Sequence, residues 1–390
     1  MWSSTLFKGE NMRKLASIQK VVGTAPIEGA DAIEIAFVLG WQVVVKKGEF
    51  KAGDLVVFYE IDSFLPASDS RYDSFKERFS TWDGKLGMRL KTIKLRKTLS
   101  QGLVLGVDKF SEIKNPKEGD DVTDLLKIEK WEIIEKGSNA GTRALGSGKT
   151  FPPFIQKTDQ ERIQNYGVMV EKALDEKFEA TVKKDGSSLT VFVVQPDSKY
   201  YDIAKDFESK KVKGLFAQVK AWFNNLFAGK KPVTGICSRN IMLAKDDDSN
   251  FHKVTSKYAL IEKLLASGKS YALQGELVAP DIQGNYEKVK DIEFHLFDIF
   301  DIDEQRYLLP MERRGFAQEW RIPHVTVLGT NSLNALTMTS KGDNIVQKLL
   351  DFAEGKGDND GVMREGVVFK STTRDFSFKA ISNSYLLKQK

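Results

Sequence analysis

The chain contains one cysteine, Cys237, and only three histidines, His252, His295 and His324, among 390 residues. A lone thiol excludes an intrachain disulfide and points to a reducing compartment, so a cytoplasmic location is expected. The three histidines lie far apart and lack the spacing of a zinc ligand set. Cys237 has no histidine near it in sequence and reads as a small buried filler. His295 reads as a satisfied interior or edge histidine. No apolar run reaches the roughly 18–20 residues that a spanning helix needs. The first fourteen residues lack the hydrophobic core of a signal peptide. No fixed-period repeat is visible. A net charge of +5 permits a polyanionic partner without demanding one. What is present, 41% hydrophobic and 29% charged residues, suits two or three ordinary domains with real cores. A monomer is the default expectation.

Residues 1–130 read as mostly β. The runs Ile33–Phe37, Trp41–Val45, Leu55–Tyr59 and Leu103–Val107 are rich in β-branched and aromatic residues and are separated by Gly40, Gly48, Gly53-Asp54 and Gly102. Such spacing predicts a small OB-like β-barrel. Between Ile93 and Arg96 the chain alternates apolar and basic, so a strand there would place Lys94 and Arg96 on one face. That face is either a solvated exterior or a contact for nucleic-acid phosphates.

From 131 to 155 the periodicity is lost, and the glycines and serines between 137 and 149 read as a linker. Gly146-Ser147-Gly148-Lys149-Thr150 has a phosphate-loop look. Its upstream glycine falls at Gly141 and it lacks a strand-to-helix context, so it does not read as a phosphate loop. Residues 156–390 form a second domain of α+β character. Thr158-Asp159-Gln160-Glu161 predicts a capping box opening a helix through Tyr166. Strands are expected over 178–194, Tyr271–Val278, Phe294–Asp303 and Gly366–Lys370, with helices near 255–267, 310–319 and 344–354. An amphipathic stripe from Val212 to Phe227 predicts a helical insertion near 200–232. Its apolar stripe suits packing on its own domain better than lying on a membrane surface.

The chemistry centres on Lys183, which precedes Lys184-Asp185-Gly186-Ser187-Ser188. A lysine amine attacks phosphorus only when unprotonated, which desolvation, neighbouring cations or a metal can arrange. Asp185 can hold that amine or a metal-bound water, and Gly186 permits a tight turn. Lys184 would point to the opposite face, towards solvent or nucleic acid. Further along come Ser238-Arg239-Asn240, Gly275-Glu276, Phe297-Asp298, Glu365-Gly366-Val367-Val368-Phe369-Lys370 and Lys379. Each alone is ordinary: a turn, a core phenylalanine, edge charges.

Together, in this order, they resemble the covalent nucleotidyltransferase superfamily of ATP-dependent ligases and capping enzymes. The resemblance spans most of 156–390, and the stretch Thr158-Asp159-x-x-Arg162-x-Gln164-Asn165 is similar to the lead-in of RNA ligases. DNA ligases and capping enzymes carry their OB domain after the catalytic one. Only eleven residues follow Lys379, so no such domain is expected there. The preceding barrel, with Gly40-Trp41 and Gly53-Asp54-Leu55-Val56, resembles the RNA ligases of the Naegleria type.

The resemblance implies a nucleotidyltransferase domain of antiparallel sheets with flanking helices, acting as an ATP-dependent RNA ligase on 3′-OH and 5′-phosphate ends in a nicked duplex. It implies Lys183 as the adenylated nucleophile, Arg239 on a phosphate, Glu276 on the ribose and Phe297 stacked on adenine. Such stacking is worth about 1–3 kcal/mol. Lys370 and Lys379 would neutralise the α-phosphate. Asp185, Glu276 and Glu365 would hold the waters of Mg²⁺ or Mn²⁺. The family's last motif often has two lysines flanking one residue, whereas Ser377 stands at that position before Lys379. A DNA-sealing ligase, a GTP-using capping enzyme and a non-catalytic RNA-binding module are the alternatives.

Overall fold

The strand that organises the N-terminal region runs from Ala16 to Pro26, a stretch whose Gln19, Lys20 and Gly23 dilute its β character. It serves two partners. Ala16–Lys20 pairs with Leu55–Tyr59, and Val21–Pro26 pairs with Ile33–Val38. The register breaks between Val21 and Gly23, and Val22 is the exposed bulge residue. A bulge bends and twists its strand, which lets one strand change neighbours. The sheet order is Leu103–Gly106, Leu55–Tyr59, Ala16–Pro26, Ile33–Val38, Trp41–Lys46. Beyond its last strand lies the hairpin Thr92–Leu95/Thr98–Gln101, held by Val44 N–H to Ser100 Oγ (3.0 Å) and Gln42 Nε2 to the Leu99 carbonyl (2.9 Å).

The computed structural model describes residues 13–132, 151–208, 230–245, 248–340, 342–359 and 361–388. The glycine-serine stretch at 137–149 and the apolar stripe of 212–227 lie outside them. Of the expected insertion, Tyr201–Glu208 is described and is helical. No described helix is long and apolar enough to cross a membrane.

Two further five-stranded sheets build the C-terminal region. The first has the order Glu161–Arg162, Ser377–Ile381, Gly366–Ser371, Lys177–Lys183, Val327–Ser332. Residues opposite each other in a ladder share a face, and side chains alternate along each strand. One face therefore carries Phe178, Ala180, Val367, Phe369, Phe378 and Ala380, all buried against the helices Ile163–Glu171 and Ile345–Ala353. The register pairs Lys183 with Gly366, and Val368 with Lys379. It follows that Lys183, Lys370 and Lys379 share the opposite face. The second sheet, Val233–Cys237, Ser187–Val194, Tyr271–Val278, Glu293–Asp301, Arg306–Tyr307, carries Gln274, Glu276 and Asp298 on one face.

The N-terminal sheet is latched to this region. Gly40 N–H donates to the Gln164 carbonyl at 2.8 Å, and a Cβ on Gly40 would stand 2.9 Å from Gln164 Cα. Trp41 Nε1 donates to Asn165 Oδ1 at 2.6 Å, and Arg162 pairs with Asp62 at 3.2 Å. Trp41, Val56 and Phe58 share a core with Ile381, Tyr385 and Leu386 from the far end of the chain.

Several expectations are corrected. The run 178–194 is two strands, Lys177–Lys183 and Ser187–Val194, which belong to different sheets. Gly186 is needed there for close approach, since a Cβ would lie 2.4 Å from the Leu277 carbonyl oxygen. The capping box does not form: Glu161–Arg162 is a short parallel strand, and the helix starts at Ile163 with no side-chain cap. Its would-be glutamate is engaged elsewhere, since Glu161 accepts from the Arg162 N–H at 2.7 Å and from Asn165 Nδ2 at 3.0 Å. Arg96 is not on the strand with Lys94. The strand ends at Leu95, and Arg96 and Lys97 form the hairpin turn at φ 44° and 67°. Lys184 reaches neither solvent nor a surface for nucleic acid, because it is buried between Glu287 and Asp358.

Candidate active site

Lys183 closes its strand with Nζ 2.8 Å from Glu365 Oε2. Glu365 stands immediately before the neighbouring strand, one residue from Lys183's ladder partner Gly366. The turn after Lys183 brings Asp185 back towards the pair, and Tyr385 hydrogen-bonds its carboxylate. Glu276 enters from the second sheet, opposite Ser188 and His295. The electrostatics are those of a site short of positive charge. Burial and the Glu365 charge push the Asp185 carboxyl up to about 7. Burial, with Glu365 and Asp185 adding to it, pushes Glu276 up to about 8 despite Lys183. Burial opposes the Lys183 ammonium, yet Glu365, Glu276 and Asp185 outweigh it and hold the amine's pKa above its ordinary value.

The neighbouring lysines show the reverse deficit. Lys370 Nζ lies 2.5 Å from Asp298 Oδ1 and donates to the Phe297 carbonyl at 2.6 Å, joining the two sheets. Lys379 Nζ lies 3.0 Å from Asp159 Oδ1. Burial lowers both lysines to about 8, against the pull of their carboxylates. Asp159 also meets Lys130 at 3.1 Å and Arg239 at 3.2 Å. Burial alone would raise its carboxyl, but Lys379, Lys130 and Arg239 hold it well below the usual range. Phe297 is the extra residue of a bulge, since Gln274 faces Asp298 while Gly275 faces Leu296. The bulge aims its ring at the lysine face, with Lys370 Nζ 5.9 Å from the ring centre. A cleft of about 720 Å³, bounded by Asp159, Asp298, Lys370, Arg13 and Glu60, opens beside this face towards the N-terminal sheet; Lys183, Asp185, Glu276 and Glu365 do not line it.

The structure thus gathers Lys183, Asp185, Glu276 and Glu365 into one cluster, and Arg239, Lys370, Lys379 and Phe297 beside it. Lys94 and Arg96 lie on the separate hairpin of the N-terminal region. Among the described residues, no three His, Cys, Asp or Glu side chains stand close enough to ligate a metal directly as a group. His295 is satisfied by Glu293 at 2.9 Å, and Cys237 is buried.

An OB-fold domain model matches residues 15–107, and an RNA ligase model matches residues 176–381. Comparison with solved structures finds a Naegleria gruberi RNA ligase mutant with ATP and Mn at 38% identity and TM-score 0.80, covering 97% of this chain and 99% of that one. The same ligase with PPi matches equally, at 38% identity, TM-score 0.80, and 97% and 99% coverage. Another mutant of it with AMP and Mn gives 38% identity, TM-score 0.81, and 97% and 99% coverage. The chain belongs to the RNA ligase family. Comparison with curated protein sequences gives no match.

In this ligase, sequence reasoning assigned no role to three charged residues beside the cluster: Asp159, Asp298 and Arg313. Asp159 and Asp298 sit inside motifs already singled out, and a buried lysine's need for a counter-ion is the signal that could have found them. The raised carboxylates carry a stability consequence. Glu276 binds its proton more tightly folded (about 8) than at its ordinary value of 4.5. Its contribution to stability is therefore fully present below the unfolded value and lost as pH rises through about 8. Glu276→Gln should raise the melting temperature more at about pH 8.5 than at about pH 5. Thermal unfolding of both proteins at both pH values checks this, and equal shifts would contradict it.

Proposed function

We propose that the chain is an ATP-dependent ligase that seals RNA 3′-OH and 5′-phosphate ends, nicks in duplexes above all, through a lysyl-AMP formed on Lys183. The observation that carries this is the Lys183 amine, 2.8 Å from Glu365 at the meeting of a carboxylate cluster and two cation-bearing strands. Buried lysines with lowered pKa favour an anion, and crowded carboxylates with raised pKa favour a cation. Both deficits suit a nucleoside triphosphate with a divalent ion. The Naegleria gruberi complexes with ATP and Mn, and with AMP and Mn, support the same ligands here.

Mg²⁺ or Mn²⁺, held through its waters by Asp185, Glu276 and Glu365, would supply positive charge that favours the neutral lysine and offsets phosphate charge. Lys183 gives up its proton through Glu365, its partner at 2.8 Å, to solvent, and attacks the α-phosphorus. An N–P bond forms, the bond to the β-phosphate oxygen breaks, and pyrophosphate departs. Phe297 stacks on the adenine, and Glu276 accepts from the ribose hydroxyls. Arg239, Lys370 and Lys379 exchange Asp159 and Asp298 for phosphate oxygens, the electrostatic term that dominates phosphoryl and nucleotidyl transfer. AMP next passes from Lys183 to the RNA 5′-phosphate. The 3′-OH attacks that phosphate, and AMP leaves.

Residues 1–130 grip the RNA and 156–390 perform the transfer, with 131–155 linking them. A monomer in the cytoplasm fits the single buried thiol. The test is incubation with ATP and Mg²⁺ or Mn²⁺ followed by intact mass measurement. A gain of one AMP mapping to Lys183 is expected. GTP in a parallel sample separates a capping enzyme, and nicks with a DNA 3′-OH end separate a DNA ligase. No gain from the folded protein would remove this reading. Replacing Lys94 and Arg96 together by alanine should weaken RNA binding and flatten the salt dependence of log K by about 1–2, with AMP capture retained. An unaltered slope would return both residues to a solvated exterior.

A further inference from the structure

Lys184 follows the nucleophile directly, yet it is only 4% exposed. Its Nζ lies 3.0 Å from Glu287 Oε2 and 2.7 Å from Asp358 Oδ2. Glu287 is itself 1% exposed, and its other oxygen accepts the backbone N–H of Asp185 at 3.1 Å. Asn359 Nδ2 closes the group by donating to the Glu287 carbonyl at 2.6 Å. One ammonium therefore ties three segments together. These are the end of the Lys183 strand, the loop following the strand that bears Glu276, and the loop that runs into Glu365.

Stability alone is a poor reason for this arrangement. Burying charge costs more than burying an apolar side chain of the same size, and two carboxylates on one ammonium leave the group net negative. An apolar residue at 184 would fill the space at lower cost. What the charges add is direction. Lys184 directly follows Lys183 at the strand's end, so a fixed Lys184 restrains the backbone from which Lys183 projects. Glu287 at the same time holds the Asp185 backbone beside it.

We infer that the Lys184–Glu287–Asp358 cluster is a positioning device that aligns the Lys183 amine with its carboxylates for attack on the nucleotide. Lys184 is a positioning residue: it touches neither nucleotide nor RNA. The inference rests on the lysyl-AMP chemistry proposed above.

The test compares Lys184→Met and Asp358→Asn with the unsubstituted protein in two reactions. One is single-turnover lysyl-AMP formation across a range of ATP concentrations. The other is joining of a pre-adenylated strand, which needs the fold but no attack by lysine. Misplacing a reacting group by about 1 Å costs about 100-fold, so lysyl-AMP formation should slow about 100-fold in Lys184→Met and about tenfold in Asp358→Asn. Half-saturating ATP should change less than about threefold, and joining of the pre-adenylated strand should stay within about threefold, because binding and the later step do not use the lysine's alignment. Unaltered rates, a change confined to half-saturating ATP, or equal losses in both reactions would overturn the inference. Melting curves report folding. If Lys184→Met does not fold, Asp358→Asn decides, since it keeps the Lys184–Glu287 pair. Absence of AMP capture by the unsubstituted protein would instead overturn the ligase reading itself.

Discussion

Lys183→Met is expected to abolish covalent AMP capture, a loss of at least about 10⁴-fold, as for other removed nucleophiles. Methionine keeps the length and apolar stem of lysine but offers no amine to phosphorus. The fold should survive, because Glu276 and Asp185 already sit at about 8 and 7 and can take up protons when the neighbouring ammonium is gone. Lys183→Arg is the sharper companion. It preserves a cation for Glu365, yet a guanidinium cannot shed its proton at any usable pH. Both variants should remain unlabelled after incubation with ATP and a divalent ion, while their melting curves stay cooperative. A label retained by either, seen by intact mass, would show that the nucleophile lies elsewhere.

Much of this geometry is written in local alternation. Phe178 to Lys183, Gly366 to Lys370 and Ser377 to Ile381 each alternate in and out, so the lysine-bearing face follows from the strands once their pairing is known. The bulge that turns Phe297 inward does not follow, because it depends on the partner strand's register. Nor does the role of Asp159, whose cation Lys379 lies 220 residues further along. Lys184 shows the limit most clearly. The strand stops at Lys183, one residue before it, and the segments carrying Glu287 and Asp358 cover Lys184. Burial of that kind is a property of distant loops and leaves no mark on the strand. The Ala16–Pro26 strand escaped for a related reason: its second half is half-exposed, so its polar residues mask the pattern.

Arg313→Met should produce the largest stability loss, about 3 kcal/mol, measured as a lower urea midpoint with an unaltered slope. Arg313 is fully buried on the helix Pro310–Glu319. It pairs with the buried Glu179, donates through Nε to His324 Nε2 at 3.0 Å, and lies 3.7 Å from Asp298. Burial and the adjacent Arg313 charge push His324 down to about 4, so it stays neutral as an acceptor while Nδ1 bonds the Val325 carbonyl at 2.6 Å. Removing the guanidinium strands part of the charge on two buried carboxylates. Glu179 keeps Arg314 at 3.0 Å and Asp298 keeps Lys370 at 2.5 Å, which places the loss at the low end for a broken buried pair. Adding Glu179→Gln removes one stranded charge, so the double variant should recover about 1–2 kcal/mol. A functional effect should accompany the loss. Arg313 helps burial hold the Lys370 pKa down, so its removal binds Lys370 more firmly to Asp298. Phosphate must compete with that pairing, and half-saturating ATP for AMP capture should rise. A loss below about 1 kcal/mol, with no gain from Glu179→Gln, would mean that water reaches Glu179 once the arginine is gone.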